Sequence, residues 1–222
     1  MGIPVLIIGE SGSGKSTSLR HFDAAEVGIF NVAGKPLPFR KRLRTFNGPG
    51  YADIERSLAH PALRAYVIDD SQCLLAFAAF SRAREKGYDK FTDMALEFYR
   101  LVRFIVTATP PDCVVYFLHH SEATEAGRIK AKTLGKMLDN QLTVEGQFSV
   151  VLLCRTDGTR YWFETRSDGL STAKSPMEMF DTREIDNDLK VVDTAIRQYW
   201  SLPPISGEAD AEAEGEVHVM SA

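Results

Sequence analysis

Gly9-Glu10-Ser11-Gly12-Ser13-Gly14-Lys15-Ser16 (GESGSGKS) follows directly on the apolar run IPVLII at residues 3–8. The stretch matches the pattern G-x-x-x-x-G-K-S/T at every fixed position. Its glycines allow consecutive backbone N–H groups to curl around an anion without a Cβ in the way, and a helix beginning at Gly14 presents its positive dipole end to phosphates. The pattern therefore predicts a buried strand, a phosphate-binding loop and a helix.

The same spacing predicts the contacts that a nucleoside triphosphate and its Mg²⁺ ion receive. Lys15 is expected to reach the β- and γ-phosphates, and the Ser16 hydroxyl is expected to ligate Mg²⁺. The predicted nucleotide-binding residues are Gly9, Glu10, Ser11, Gly12, Ser13, Gly14, Lys15, Ser16 and Thr17.

Composition indicates an ordinary soluble chain of 222 residues, with 44% hydrophobic and 25% charged residues. No apolar stretch approaches the roughly 18 residues that a membrane span needs, and we expect no membrane partner and a cytoplasmic location. Residues 206–222 carry five carboxylates and no Lys or Arg, and they follow Pro203-Pro204. The sequence therefore predicts one domain over residues 1–205 and an acidic, disordered tail over 206–222.

Apolar runs alternate with segments of helical spacing along the chain. The predicted strands are 3–8, 27–32, 65–70 and 113–118, with a late hairpin formed by 148–154 and 161–165. The predicted helices are 51–60, 71–86, 90–108 and 186–200. This alternation predicts an α/β fold with a mostly parallel sheet, helices on both faces, and a C-terminal hairpin and helix.

In such a sheet, ligands lie at the carboxyl ends of the strands, and one predicted strand ends at Asp69-Asp70. If that strand lies next to the strand of the phosphate loop, Asp69 is placed to hold the Mg²⁺ shell together with Ser16. Asp70 then orients or activates the attacking water. The alternative is a pair of charges at a helix start before Ser71, a place that carboxylates also favour.

A second predicted strand ends at His119-His120. His120 at the mouth of the strand could donate a hydrogen bond to the γ-phosphate, and His119 then points to the other side because strand residues alternate. Which histidine faces the site stays open, and either one could be a strand-end histidine without a catalytic role. The predicted catalytic residues are Lys15, Asp70 and His120.

Two stretches are locally basic and are candidates for nucleic-acid contacts. The first contains Lys35, Arg40, Lys41, Arg42 and Arg44, and Phe39 and Phe46 flank its central cations; the second contains Arg128, Lys130, Lys132 and Lys136. Either cluster could bind phosphate groups, and the alternative for both is a basic surface that contacts only solvent. The flanking aromatic side chains could stack bases or belong to the core.

With the phosphate loop, the Asp69 strand and the His119-His120 strand in this order, the chain resembles the RecA-type ATPase core. Four stretches, IPVLIIG (3–9), GKPLPFR (34–40), TLGKML (133–138) and SP (175–176), more closely resemble the small AAA-type ATP-binding proteins of tailed phages, including the RecA-like single-strand-annealing ATPases. The resemblance covers residues 1–202. It implies a RecA-like P-loop NTPase core, ATP with Mg²⁺ as cofactors, single-stranded DNA as partner, and a role in phage recombination or replication.

The chain departs from that pattern at one position. RecA-type enzymes carry a catalytic glutamate at the end of the strand after the first helix, and here that strand ends at Asn31-Val32-Ala33. Either Asp70 substitutes for the glutamate or hydrolysis is slow.

Three functions compete at this stage. The first is an ATP-dependent DNA-annealing ATPase that acts as a homo-oligomer, with single-strand-binding or replication proteins as further partners, in the bacterial host cytoplasm if the chain is phage-encoded. The second is an ATP-controlled clamp or loader-like adaptor with incidental hydrolysis. The third is a small-molecule or nucleotide kinase, which is disfavoured because no arginine-rich lid is evident opposite the phosphate loop, although the segment around Arg128 could serve as one.

Overall fold

The computed structural model of the chain describes residues 1–87, 89–134 and 143–205. The predicted acidic tail at 206–222 and Lys136 lie outside the described residues. The strands are β1 Ile3–Gly9, β2 Val27–Asn31, β3 Arg44–Asn47, β4 Ala65–Asp69, β5 Val114–Ala123, β6 Ile129–Ala131, β7 Val150–Thr156, β8 Tyr161–Glu164 and β9 Glu184–Asp186. The α-helices are α1 Tyr51–Ala59, α2 Gln72–Ser81, α3 Asp89–Ala108 and α4 Leu189–Tyr199, and 3₁₀ helices span Ser16–His21 and Val144–Gln147.

The strands form one mixed sheet in the order β3-β2-β4-β5-β1-β7-β8-β9. The six strands from β3 to β7 run parallel, whereas β8 and β9 are antiparallel additions and β6 pairs antiparallel with the end of β5. This confirms the predicted α/β class, the mostly parallel sheet, and the C-terminal hairpin and helix.

Two apolar layers cover the sheet because successive side chains of a strand point to opposite faces. Leu6 and Ile8 of β1 belong to the core that contains the buried side chains of α1, α2 and α3, and Val5 and Ile7 belong to the core shared with α4 and the Ser16–His21 helix. All four side chains are fully buried. Helices therefore lie on both faces, as predicted.

The structure corrects the predicted neighbours of β1. We expected the Asp69 strand beside the phosphate-loop strand, but β5 lies between β4 and β1. Strand β5 also runs beyond His119-His120 to Ala123, because its last three residues pair with β6. The carboxyl ends remain aligned, since Gly9 is opposite His120 on the β1–β5 pair and Ile68 is opposite Phe117 on the β4–β5 pair.

Other boundaries also differ from the prediction. The helix after the glycine-rich loop begins at Ser16 instead of Gly14 and is a six-residue 3₁₀ helix. Helix α2 ends at Ser81, because the segment that follows is charged and leads to Gly87. Strands β3, β6 and β9 were not predicted: β3 is exposed along its whole length, and β6 and β9 are only three residues long.

Candidate functional site

The loop at residues 9–16 connects β1 to the 3₁₀ helix at the carboxyl edge of the sheet. Two of its glycines are required by close approach. A Cβ at Gly9 would lie 2.5 Å from Ser13 Oγ and 2.8 Å from the Cys154 carbonyl oxygen. Gly14 has a φ of 97°, and a Cβ there would lie 2.7 Å from the Tyr161 ring. The glycine pattern of the sequence thus corresponds to a tightly folded loop.

Backbone donors of this loop are open to a ligand. Ser13 donates its N–H to the Glu10 carbonyl over 3.2 Å, whereas the N–H groups of Gly12, Gly14 and Lys15 donate to no acceptor in the described part of the chain. Consecutive peptide N–H groups without partners form a concave, electropositive surface that suits an anion. The loop therefore presents backbone donors that are available to an anion.

Lys15 lies beneath this surface with 6% of its area exposed. Its ammonium group donates to the carbonyl oxygens of Gly9 over 2.8 Å and Glu10 over 2.7 Å. Burial lowers the pKa of Lys15, and the nearby carboxylates of Asp69 and Asp70 partly oppose this effect. Two of its three protons are thus used within the loop, and the third is available to a ligand in the cleft.

Ser16, at the start of the 3₁₀ helix, and Asp69, at the end of β4, meet in the cleft, although β4 and the phosphate-loop strand β1 are not neighbours. Ser16 Oγ donates to Asp69 Oδ1 over 2.8 Å, and the N–H of Asp70 donates to the same oxygen over 3.1 Å. Burial raises the pKa of the Asp69 carboxyl, and the hydrogen bond from Ser16 partly offsets this. A hydroxyl and a carboxylate side by side supply the hard oxygen ligands that Mg²⁺ prefers.

Asp70 contacts two basic side chains of the cleft. Its Oδ2 accepts from Lys35 Nζ over 2.9 Å and its Oδ1 lies 3.3 Å from His120 Nε2. Asp70 also has a φ of 54°, which is uncommon for a residue other than glycine. The hydrogen bonds from His120 and Lys35 hold the pKa of Asp70 well below its usual range. A carboxylate with so low a pKa is a weak base.

The two histidines have different environments, which answers the question that the sequence left open. His119 is fully buried; its Nδ1 lies 2.9 Å from Ser71 Oγ and its Nε2 lies 2.8 Å from the Lys132 carbonyl. Burial lowers the pKa of His119 to about 4. His120 lines the cleft and is the histidine that faces the candidate site.

These groups surround one open cleft with a volume of about 260 Å³. Of the predicted nucleotide-binding residues, those lining it are Ser11, Gly12, Gly14, Lys15, Ser16 and Thr17. Glu10 and Ser13 lie instead at a smaller pocket on the other side of the loop, together with Cys154. Asp69, Asp70 and His120 complete one end of the cleft.

Four cleft residues were absent from the predicted nucleotide site: Lys35, which was predicted only as part of the first basic cluster, Pro36, Pro38 and Tyr161. Tyr161 is the first residue of β8, opposite Thr156 of β7, and its ring lies against Gly14 with 41% of the residue exposed. No local signal marks this tyrosine. Pairing of β8 with β7, and of β7 with β1, brings it to the loop.

The two basic clusters lie in different places. Lys41 forms an ion pair with Asp23, which precedes β2, whereas Lys35 of the same cluster lines the cleft. Arg40 and Arg42 beside it are exposed. Phe39 packs against the core, which favours the packing alternative for that ring.

The second cluster lies on the β5–β6 hairpin, which continues from His120. Arg128 and Lys132 are exposed, and Lys130 forms an ion pair with Glu122 over 3.0 Å. The backbone N–H of Lys132 donates to the His120 carbonyl over 2.8 Å. This cluster is therefore directly connected to the cleft.

No group of three or more His, Cys, Asp or Glu side chains that could hold a metal ion occurs in the described ranges. Within the same ranges, no helix has the length and apolar character needed to cross a membrane. No protein-family model matches the chain, and a search of curated proteins finds no similar sequence. The inference of function therefore depends on the geometry of the cleft.

Proposed function

We propose that the chain is a MgATP-binding ATPase that binds single-stranded DNA and promotes its annealing. The observation that carries the nucleotide assignment is the meeting of three groups in one cleft: the open N–H groups of the glycine-rich loop, the Lys15 ammonium, and the Ser16–Asp69 pair. A triphosphate needs donors and a cation for its oxygens, and Mg²⁺ needs oxygen ligands beside them. A RecA-like P-loop NTPase core is part of this proposal.

The residues present fit a Mg²⁺ ion shared with a phosphate. Mg²⁺ is commonly bound through one or two protein oxygens, with phosphate oxygens and water supplying the rest. Ser16 and Asp69 are such a pair, so the lack of a larger ligand cluster among the described residues is compatible with it. When bound, Mg²⁺ neutralises charge that develops on the phosphate oxygens.

Hydrolysis by this site is expected to be slow. Strand β2 ends at Asn31, whose side-chain amide donates to the Lys35 carbonyl over 2.7 Å and to Asn47 Oδ1 over 2.9 Å. It therefore holds a turn in place and is not available to activate water. Asp70 is a weak base because Lys35 and His120 bind it, so its role is to orient groups at this end of the cleft.

The opposite end of the cleft suits a nucleoside. Tyr161 presents a partly exposed ring beside Gly14, in the same cleft as Thr17. An aromatic ring next to a phosphate-binding loop can stack on a base of any identity, since every base has a π-face. The predicted order along the cleft is base, phosphates, and then the Asp70–His120 end.

The proposed DNA contact is the β5–β6 hairpin. The hairpin that carries Arg128, Lys130 and Lys132 continues from the part of β5 that contains His120. Nucleotide and DNA can therefore influence each other through β5. The cluster at Arg40, Lys41 and Arg42 is the second candidate. Annealing, a homo-oligomeric state and a cytoplasmic location follow from the resemblance and remain parts of the proposal.

The deciding experiment measures the ATPase rate with and without single-stranded DNA, using Lys15→Ala as the inactive control. Stimulation by DNA supports the proposal. A rate indifferent to DNA favours an ATP-controlled adaptor, and consumption of ATP only with an added phosphate acceptor favours a kinase. Absence of MgATP binding by the wild-type chain would overturn the nucleotide assignment itself.

A further inference from the structure

We infer that Lys35 is a second phosphate-binding cation. When ATP binds, the Lys35 ammonium group exchanges its ion pair with Asp70 for a contact with the terminal phosphate, and the site therefore prefers ATP to ADP. The inference rests on the proposed nucleotide-binding function and adds a specificity-determining residue to it. The glycine-rich motif does not include Lys35. This residue lies on the loop after β2 and lines the same cleft as the motif.

The backbone of Lys35 is held in place while its side chain is exposed. The Lys35 carbonyl accepts from the buried Asn31 amide over 2.7 Å, and the Gly34 N–H donates to the Asn31 carbonyl over 3.1 Å. The Lys35 side chain is nevertheless 66% exposed, and Asp70 is its ion-pair partner. A fixed backbone with an exposed ammonium group can change partners by side-chain rotation alone.

Asp70 does not depend on Lys35 as its sole partner. His120 Nε2 lies 3.3 Å from Asp70 Oδ1, while Lys35 binds the other oxygen, Oδ2. When Lys35 leaves, Asp70 therefore keeps a hydrogen-bonding partner. The cost of burying a carboxylate with no partner, which would oppose the exchange, is thus avoided.

A phosphate is the stronger partner for this lysine. A terminal phosphate group carries about −1.5 to −2 charge near pH 7 and three acceptor oxygens, compared with the single charge of a carboxylate. Lys15 and Lys35 line the same cleft, and both lie beside the Asp69-Asp70 pair. Since ADP lacks the terminal group, it is not expected to draw Lys35 away from Asp70.

The test compares the dissociation constants of MgATP and MgADP for the wild-type chain, Lys35→Ala, Lys35→Arg and Lys86→Ala. Lys86 is an exposed lysine outside the cleft and serves as the matched control. Loss of one charge-assisted contact in Lys35→Ala should weaken MgATP about tenfold and leave MgADP unchanged. Lys35→Arg should keep most of the preference, and Lys86→Ala all of it.

Equal weakening of both nucleotides by Lys35→Ala, or no weakening of either, would overturn the inference. Asp70→Asn provides a second measurement, because removal of the competing anion should increase the preference for ATP, and a lower preference would also count against the exchange. Failure of the proposed function looks different: the wild-type chain would then bind neither nucleotide.

Discussion

Ser16 Oγ donates a hydrogen bond to Asp69 Oδ1 over 2.8 Å, although 53 positions separate the two residues along the chain and strand β5 lies between their strands. The bond joins the start of the first helix to the end of β4. Because β1, β5 and β4 are parallel and in register, their carboxyl ends meet at one edge, and a hydroxyl on the helix can span the intervening strand.

Lys15→Ala is expected to weaken MgATP binding severely. The ammonium group lies under the loop, and its loss removes the charge that would contact two phosphates, an effect of about 3 kcal/mol or roughly a hundredfold in affinity. Titration calorimetry with MgATP measures it, with circular dichroism to check the fold and Lys86→Ala as control. Affinity like that of the wild type would refute the assignment of the loop.

The adjacent carboxylates should separate by role. Asp69→Asn is expected to weaken Mg²⁺-dependent ATP binding by about tenfold, because a metal ligand loses its charge. Asp70→Asn should not weaken binding but should slow turnover, since it disturbs the groups oriented at the far end of the cleft. ATP titrations with and without Mg²⁺, together with single-turnover rates, distinguish the two; an equal loss of affinity in both variants would exclude this division.

Tyr161→Ala should weaken ATP binding by about tenfold, since stacking on a base contributes roughly 1–3 kcal/mol. Inorganic triphosphate has no base and should bind to this variant and to the wild-type chain alike. Tyr161→Phe keeps the ring and is the matched control. If Tyr161→Ala binds ATP as tightly as the wild type does, the nucleoside lies elsewhere.

His119 should make stability depend on pH in a defined direction. Burial lowers its pKa to about 4 from an ordinary value of 6.5. Between these two pH values, His119 therefore binds more protons in the unfolded state than in the folded state. The contribution of His119 to stability is therefore complete above pH 6.5 and is lost as the pH falls towards 4. Between pH 7 and pH 5 the free energy of unfolding should fall by about 2 kcal/mol from this group.

Urea unfolding of the wild-type chain and of His119→Gln at both pH values measures this contribution. The variant should show the smaller pH dependence, whereas His60→Gln, which replaces an exposed histidine, should behave as the wild type does. The same slope in all three proteins would mean that His119 does not cause the effect.

Deletion of residues 206–222 is expected to tighten binding of single-stranded DNA, most strongly at low salt. A tethered polyanion competes with DNA phosphates for the same cations, and added salt screens that competition. Fluorescence anisotropy at several salt concentrations measures the effect. An affinity that is unchanged at every concentration would rule out autoinhibition by the tail.

The two basic clusters can be separated in the same assay. Replacing Arg128, Lys130 and Lys132 by Gln should weaken DNA binding and reduce its salt dependence, because fewer counterions are released. The corresponding triple change at Arg40, Lys41 and Arg42 is the comparison. If only the variant at Arg40, Lys41 and Arg42 lost DNA affinity, the DNA contact would lie at that cluster and not at the β5–β6 hairpin.

Local chemistry was sufficient to predict much of the molecule. The apolar run before Gly9 predicted a buried central strand, the glycine pattern predicted a tight loop, and the alternation of apolar runs with helical spacing predicted the α/β class. Each depends on neighbours in sequence: a strand buried on both faces must be apolar throughout, and a loop with a φ of 97° at Gly14 requires glycine.

What only the tertiary structure decided is which distant residues share the cleft. The insertion of β5 between β1 and β4, the ion pair of Lys35 with Asp70, and the approach of Tyr161 to Gly14 all depend on strand order. Strand order depends on how all the helices and strands together bury their apolar faces, and it cannot be predicted from any single segment. Residue types and local spacing therefore determined the tight glycine-rich loop after β1, and the packing of the sheet determined the groups that face it.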